Sequence, residues 1–415
     1  MAVTSSGSWS WYTNLTIDSA PLRQDTGYVA KATGGPAHEV AIVHDYLAQT
    51  GGAERVVLSL HHAFPDAPIY TSVYEPDSTF SEFQDLDIRT SPINRSHFLR
   101  HHYRLTFPFL PHTFSSMHVP AKVVICSSSG WAHGVKTDGT KLVYCHSTAR
   151  WLYKPNDYFK MSSSSRLLQR GIPSYERLHS SRLSHRMVKM LGSTLRNWDV
   201  AAASTAERYF VNSTVTATEV EERYKRTSTL LSPPPACTVD GRSEPPLGTR
   251  PSDFFLIVSR LMPYKNVGSV TEAFEHMPDK KLVVVGGGPQ LEQLRHNAPA
   301  NVQFTGRISD AHLRWYYQHC AALIAPAHED YGLTPLEAAT FGKPTLALRY
   351  GGYLDTVCDG RTGYHFPDLK AESICDAIAL LNEGTLDRKV ISRHAATFSE
   401  ARFIKSIRNE VYKYL

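Results

Sequence analysis

The sequence predicts an α/β protein made of two Rossmann-like, parallel-sheet domains that face each other across a cleft. Three observations predict this. The chain has 415 residues, more than one ordinary domain needs. Short apolar runs alternate with helix-like stretches twice over, and such alternation builds parallel sheets. A segment rich in Pro and Gly, LLSPPPACTVDGRSEPPLGTRPS (230–252), separates the two series.

Residues 1–37 carry Ser, Gly and Thr with no sustained period, and a mobile extension is expected there. The first domain is expected over 38–232. Its first strand is EVAIVH (39–44), followed by a helix from about Ala53 to Ala63. Further strands are expected at PIYTSVY (68–74), KVVICSS (122–128), KLVYCH (141–146) and DVAAAS (199–204). ERYFVNSTVTATEVEERY (207–224) reads as a strand–helix unit closing this half. A linker is placed at 233–251, and the second domain at 252–400. Its strands are FFLIVS (254–259), KLVVVGG (281–287), NVQFTG (301–306), AALIAP (321–326), PTLALR (344–349) and GYHF (363–366). Residues 401–415 form a terminal helix with Phe403, Ile404, Ile407, Val411 and Leu415 on one stripe.

A net charge of +5, with 20 histidines uncounted, favours anionic ligands or a membrane surface but is too weak to argue nucleic acid. The six cysteines are scattered, with no C-x-x-C pair, and read as reduced thiols of a cytosolic protein. No stretch reaches the length of a transmembrane helix, and no signal peptide is expected at the N-terminus. Residues 162–196 are basic, with Leu183, Met187, Leu191 and Leu195 recurring every fourth position. They read as an ordinary surface helix; the alternative is peripheral contact with the inner face of a membrane or with a lipid-linked acceptor.

Five motifs carry the chemistry. In HDYLAQTGGAERV (44–56), Gly51 and Gly52 let the backbone approach a phosphate or sugar at a helix N-terminus. In VSRLMPYKN (258–266), Arg260 and Lys265 leave a strand end as two cations able to neutralise a diphosphate. VVVGGGPQLEQL (283–294) holds Gly286 in a tight turn over which the donor nucleotide is expected to pack; it lacks the full dinucleotide spacing, so a nicotinamide or flavin site is poorly supported. In HEDYGLTPLE (328–337), Glu329 leaves a strand end, where an open parallel sheet binds its ligands. There the amides of Gly332, Leu333 and Thr334 are expected to hold phosphate oxygens, with Glu329 and Glu337 aimed at the sugars on either side. The competing reading is a capping box, with Thr334 as N-cap, Pro335 at N1 and Glu337 at N3. In YCHSTARWLY (144–153), His146 follows a strand, with Arg150 close behind.

Together these residues resemble glycosyltransferase family 4, the retaining GT-B enzymes, and most of all a bacterial mannosyltransferase subgroup of surface-polysaccharide assembly. The resemblance spans roughly residues 38–400 and rests above all on EDYGLTPLEA with the upstream pair Arg260 and Lys265. It implies that Arg260 and Lys265 hold the donor diphosphate, Glu337 the ribose and Glu329 the transferred hexose. His146 would face the reacting side of that hexose, Gly51 and Gly52 would close over the phosphate, and the backbone near Arg307 and Ile308 would meet the base. Arg150 and Tyr153 are candidates for the acceptor side. The terminal helix would cross back to the first domain. The implied reaction retains the anomeric configuration and needs no metal or other cofactor. Its partners are a nucleotide sugar, GDP-mannose first, and a carbohydrate or lipid-linked acceptor. The subgroup's Cys-His-Thr-Pro-x-Arg run stands here as Cys-His-Ser-Thr-Ala-Arg, a departure on the acceptor side. A UDP-sugar donor, a silent nucleotide-sugar binder and a dinucleotide oxidoreductase are the competing readings.

Overall fold

The structure is a computed structural model that describes residues 38–154, 182–246, 253–383 and 386–415. The first series of strands is β1 (His38–His44), β2 (Ile69–Thr71), β3 (Ile88–Thr90), β4 (Ala121–Ser128), β5 (Thr140–Cys145), β6 (Arg208–Val211) and β7 (Ser228–Leu230). The second is β8 (Phe255–Val258), β9 (Leu282–Val285), β10 (Val302–Gly306), β11 (Ala322–Ala325), β12 (Thr345–Leu348) and β13 (Gly363–Phe366). The first sheet runs β3-β2-β1-β4-β5-β6-β7 and the second β10-β9-β8-β11-β12-β13, every pairing parallel.

The central strands are apolar without alternation, as they must be when helices cover both faces of a parallel sheet. Val43, Val124 and Val143 enter one cluster on the first sheet, while Ile42, Ile125 and Leu142 enter the cluster on its other face. The second sheet repeats this, with Ile257, Val284 and Ile324 on one face and Leu256, Val283 and Leu323 on the other. In each sheet the strand order reverses once, between β1 and β4 and between β8 and β11. A reversal opens a crevice beyond the carboxyl ends of the two strands, where ligands of open α/β sheets bind. Here the two crevices face each other.

After the second sheet the chain returns to the first domain. Phe403, Ile407 and Val411 of the helix Glu400–Val411 are buried in one cluster with Val40, Ile42 and Leu60. Glu400 Oε1 accepts from Ser59 Oγ at 2.8 Å, and Arg408 Nε donates to the Ala63 carbonyl at 2.7 Å.

Two expected elements differ. DVAAAS is not a strand but the end of a long helix, Arg182–Ser204. Three consecutive alanines are strong helix formers, and Asp199 turns inward to meet Tyr153 Oη at 2.7 Å. The unit 207–224 does not close the first half, because β7 follows it. Of the basic stretch 162–196, residues 162–181 lie outside the described residues. In the remainder Leu195 packs against the core, but Leu191 is 42% exposed and Met190 81% exposed. All six cysteines are unpaired, four of them buried.

Candidate active site

The second domain supplies cations and carboxylates at its crevice. Arg260 and Lys265 lie on the loop after β8, which closes in a short turn at Pro263–Lys265. Glu329 lies just past β11, so the β8–β11 neighbourhood brings it against Lys265, and the two side chains form an ion pair. Burial, with Arg260 and Arg150 nearby, pushes the Lys265 ammonium down to about 7. The Glu329 carboxylate in contact acts against that fall by favouring the charged amine. Arg260 reaches Tyr264 Oη at 3.3 Å and, across the cleft, Gln49 Oε1 at 3.5 Å.

The helix after β11 is Leu333–Thr340, with Gly332 as its N-cap. The capping box of Thr334, Pro335 and Glu337 is therefore not formed. Gly332 has φ +86, a left-handed conformation that glycine adopts without strain, and it starts the helix two residues early. Pro335 still falls in the first turn, where a missing N–H costs no hydrogen bond. Glu337 moves to the second turn and is buried, accepting from Tyr317 Oη at 2.7 Å. Burial raises its carboxyl pKa, against the opposing pull of Tyr317 and the amides of Cys237 and Ala236.

The first domain supplies His146, Gly52 and Arg150. His146, directly after β5, is buried, and its Nε2 lies 2.7 Å from Ser127 Oγ. Burial, then the neighbouring His44, push it down to about 3. Gly52 begins the helix Gly52–Ala63 and faces the other domain: a Cβ there would stand 2.9 Å from Leu333 Cδ1. Arg150 donates from Nε to Asp330 Oδ2 at 2.7 Å, joining the two domains.

The two domains together line one cleft of about 1280 Å³. It gathers Gly51, Gly52, His146, Arg150, Arg260, Lys265, Gly286, Arg307, Ile308, Glu329, Gly332, Leu333, Thr334 and Glu337. Tyr153 is the one sequence candidate that it does not gather. Its hydroxyl points inward to Asp199, and Arg223 covers its ring at 4.5 Å.

Several cleft residues escaped the sequence reading. Asp330 sits inside the quoted motif but shows its role only as the partner of Arg150. Gln49 bridges Arg260 and Glu54, a contact made between domains. At the rim Arg55 lies 3.8 Å over the Phe80 ring and 3.9 Å from Asp310 Oδ2 of the second domain. Outside the cleft lining, Asp45 is buried and accepts from the amides of Ser129 and Ala132 at 2.6 Å each, which anchors the turn after β4. Among the described residues no helix is long and apolar enough to cross a membrane.

Residues 246–398 match the family model described as "Glycosyl transferases group 1". The chain is 30% identical over 165 residues to the GDP-mannose-dependent alpha-(1-6)-phosphatidylinositol monomannoside mannosyltransferase of Mycolicibacterium smegmatis, covering 36% of this chain and 43% of that protein. It is 30% identical over 148 residues to the O-antigen chain mannosyltransferase C of Escherichia coli, covering 33% and 39%. The chain thus spans less than half the length of these curated relatives. Among solved structures it resembles the lipopolysaccharide outer core galactosyltransferase WaaB (TM-score 0.59, 15% identity, 91% of this chain and 100% of that one). It also resembles Anabaena Alr3699/HepE in complex with UDP-glucose (TM-score 0.61, 14% identity, 91% and 100%). At such identities the likeness speaks for the fold, and the fold is GT-B: two parallel-sheet domains facing a cleft.

Proposed function

We propose that the chain is a retaining glycosyltransferase that moves a hexose, mannose from GDP-mannose first, to a glycan, lipid-linked or small-molecule acceptor. The observation that carries this reading is the meeting of Arg260, Lys265, the Leu333–Thr340 helix N-terminus and the two carboxylates Glu329 and Glu337 in one cleft. A diphosphate needs cations and backbone amides, and the sugars at its two ends need carboxylates to accept from their hydroxyls. The names of both relatives support mannose, and that of the Mycolicibacterium smegmatis protein supports a guanine nucleotide.

On this reading the diphosphate displaces the Lys265–Glu329 pairing. Lys265 turns to phosphate, and Glu329 is released to accept from hexose hydroxyls. The bond from the anomeric carbon to the diphosphate oxygen breaks as the acceptor oxygen bonds to that carbon on the same face. The acceptor proton passes to the departing diphosphate. Charge grows on that leaving group, so Arg260, Lys265 and the helix amides stabilise the transition state more than the ground state. No metal has a role in this scheme. Arg150, tied to Asp330, would border the acceptor side; contact of the exposed Met190 and Leu191 with a lipid-linked acceptor belongs to the same proposal.

A UDP-sugar donor is the alternative within the class, and a dinucleotide oxidoreductase the alternative outside it. Calorimetric titration of the purified chain with GDP-mannose, UDP-glucose and NAD separates them. One nucleotide sugar is expected to bind, and Arg260→Ala to weaken it at least about tenfold. Binding of NAD alone would overturn the reading.

A further inference from the structure

We propose that a buried relay, Glu54 ion-paired with His44 and His44 hydrogen-bonded to Ser127, fixes His146 as its Nδ1–H tautomer and offers that N–H to the cleft. The parallel register builds the relay: His44 ends β1 directly opposite Ser127 of β4, and β5 runs beside β4 and delivers His146 one residue past its end. The His146 backbone is pinned on both sides. Its amide donates to the Ser128 carbonyl at 2.9 Å, and its carbonyl accepts from Asn212 Nδ2 at 2.9 Å.

Proton positions follow from donor and acceptor chemistry. His44 Nδ1 lies 3.0 Å from the Ser127 carbonyl oxygen, which can only accept, so Nδ1 of His44 carries a proton. Ser127 Oγ lies 3.0 Å from that same Nδ1 and 2.7 Å from His146 Nε2. Among the described residues the hydroxyl has only His44 and His146 as partners, so with a donor on the His44 side its own proton has His146 Nε2 as its acceptor. That nitrogen is therefore an acceptor, and a neutral ring must carry its proton on Nδ1. Nδ1 of His146 has no hydrogen-bond partner among the described residues, and the ring lines the cleft.

Glu54 holds the far end. It is 1% exposed, its Oε1 lies 3.8 Å from His44 Nε2, and its Oε2 is buried without a hydrogen-bond partner. Burial disfavours a charged His44, but the Glu54 carboxylate, with Asp45, outweighs this and raises its pKa. The pair thus favours positive charge on His44, while burial first and His44 second hold His146 toward its neutral form. These are positioning residues. Resting on the transferase reading, their consequence is that His146 donates a hydrogen bond to an oxygen of the hexose or diphosphate and is not the base that deprotonates the acceptor.

The test is two-bond ¹⁵N–¹H correlation on the labelled full chain without ligand, with His146 identified by loss of its signals in His146→Ala. The expected pattern shows Nδ1 protonated and Nε2 as acceptor, and Ser127→Ala shifts the ring toward the Nε2–H form. An Nε2–H ring in the unaltered chain overturns the relay, whether or not the variant folds. An unmoved tautomer in a folded Ser127→Ala also overturns it. In transfer assays Ser127→Ala is expected to lose about tenfold in kcat, and Ser127→Thr to recover it. An unaltered kcat in Ser127→Ala counts against the relay. The tautomer is read without donor, so an Nδ1–H ring in a chain that binds no nucleotide sugar keeps the relay and defeats only the transferase reading.

Discussion

Lys265 shows how one residue ties the site to pH. Its ammonium is pushed down to about 7 by burial and by Arg260 and Arg150, while Glu329 pairs with it. A lysine loses its proton as pH rises through its pKa, and the neutral amine no longer offsets a diphosphate's charge. Affinity for GDP is therefore expected to fall as pH rises above about 7, with proton uptake on binding there, because the bound anion restores the ammonium. Calorimetry in buffers of different ionisation enthalpy measures both. Lys265→Arg should remove the slope, since a guanidinium stays charged. A flat affinity without proton uptake in the unaltered chain would count against diphosphate binding at Lys265. The types and spacing of Arg260, Lys265, Glu329 and Glu337 were legible in the sequence because the first three follow strand ends and Glu337 lies in the helix after one. Tyr153 was not legible, because whether a side chain three residues past Arg150 turns out or in is decided by Asp199, distant in sequence.

At the scale of elements, the helix Leu333–Thr340 carries the anion-binding end, and its start depends on Gly332. A Cβ at Gly332 would run into the Tyr353 ring, and φ +86 is unfavourable for any other residue than glycine. Gly332→Ala is expected to lower stability by about 1–2 kcal/mol from the backbone alone, and more as Tyr353 shifts. It should also weaken nucleotide binding, since the amides of Leu333 and Thr334 move. Thermal unfolding and GDP titration check the two effects, and unchanged values in both would remove Gly332 from the account. The sequence carried a misleading signal here: Thr-Pro-Leu-Glu has every residue of a capping box, but a glycine upstream can begin a helix without a side-chain cap. DVAAAS misled in a similar way. Its apolar run was too short for period to separate strand from helix, and the helix preceding it decides.

At the scale of the molecule, two sheets each reverse strand order once, and the reversals face each other. The double series of strands was readable, because buried parallel strands are apolar runs bounded by turns. The contacts that join the halves were not. Arg150–Asp330, Thr214–Asp355 at 2.8 Å and Gly52 beside Leu333 pair residues far apart in the chain, and no local pattern marks them. The helix Glu400–Val411 then anchors the end of the chain on the first domain, so the lip that carries His146 and the lip that carries Glu329 belong to one connected body.

The measurement that tests the central claim most directly is release of GDP from GDP-mannose by the full chain, with a mannoside or water as acceptor, against Glu329→Ala. The unaltered chain is expected to turn over, and the variant to lose on the order of a hundredfold in kcat while still binding GDP. Equal turnover in Glu329→Ala would contradict the assignment of this cleft as the site of transfer.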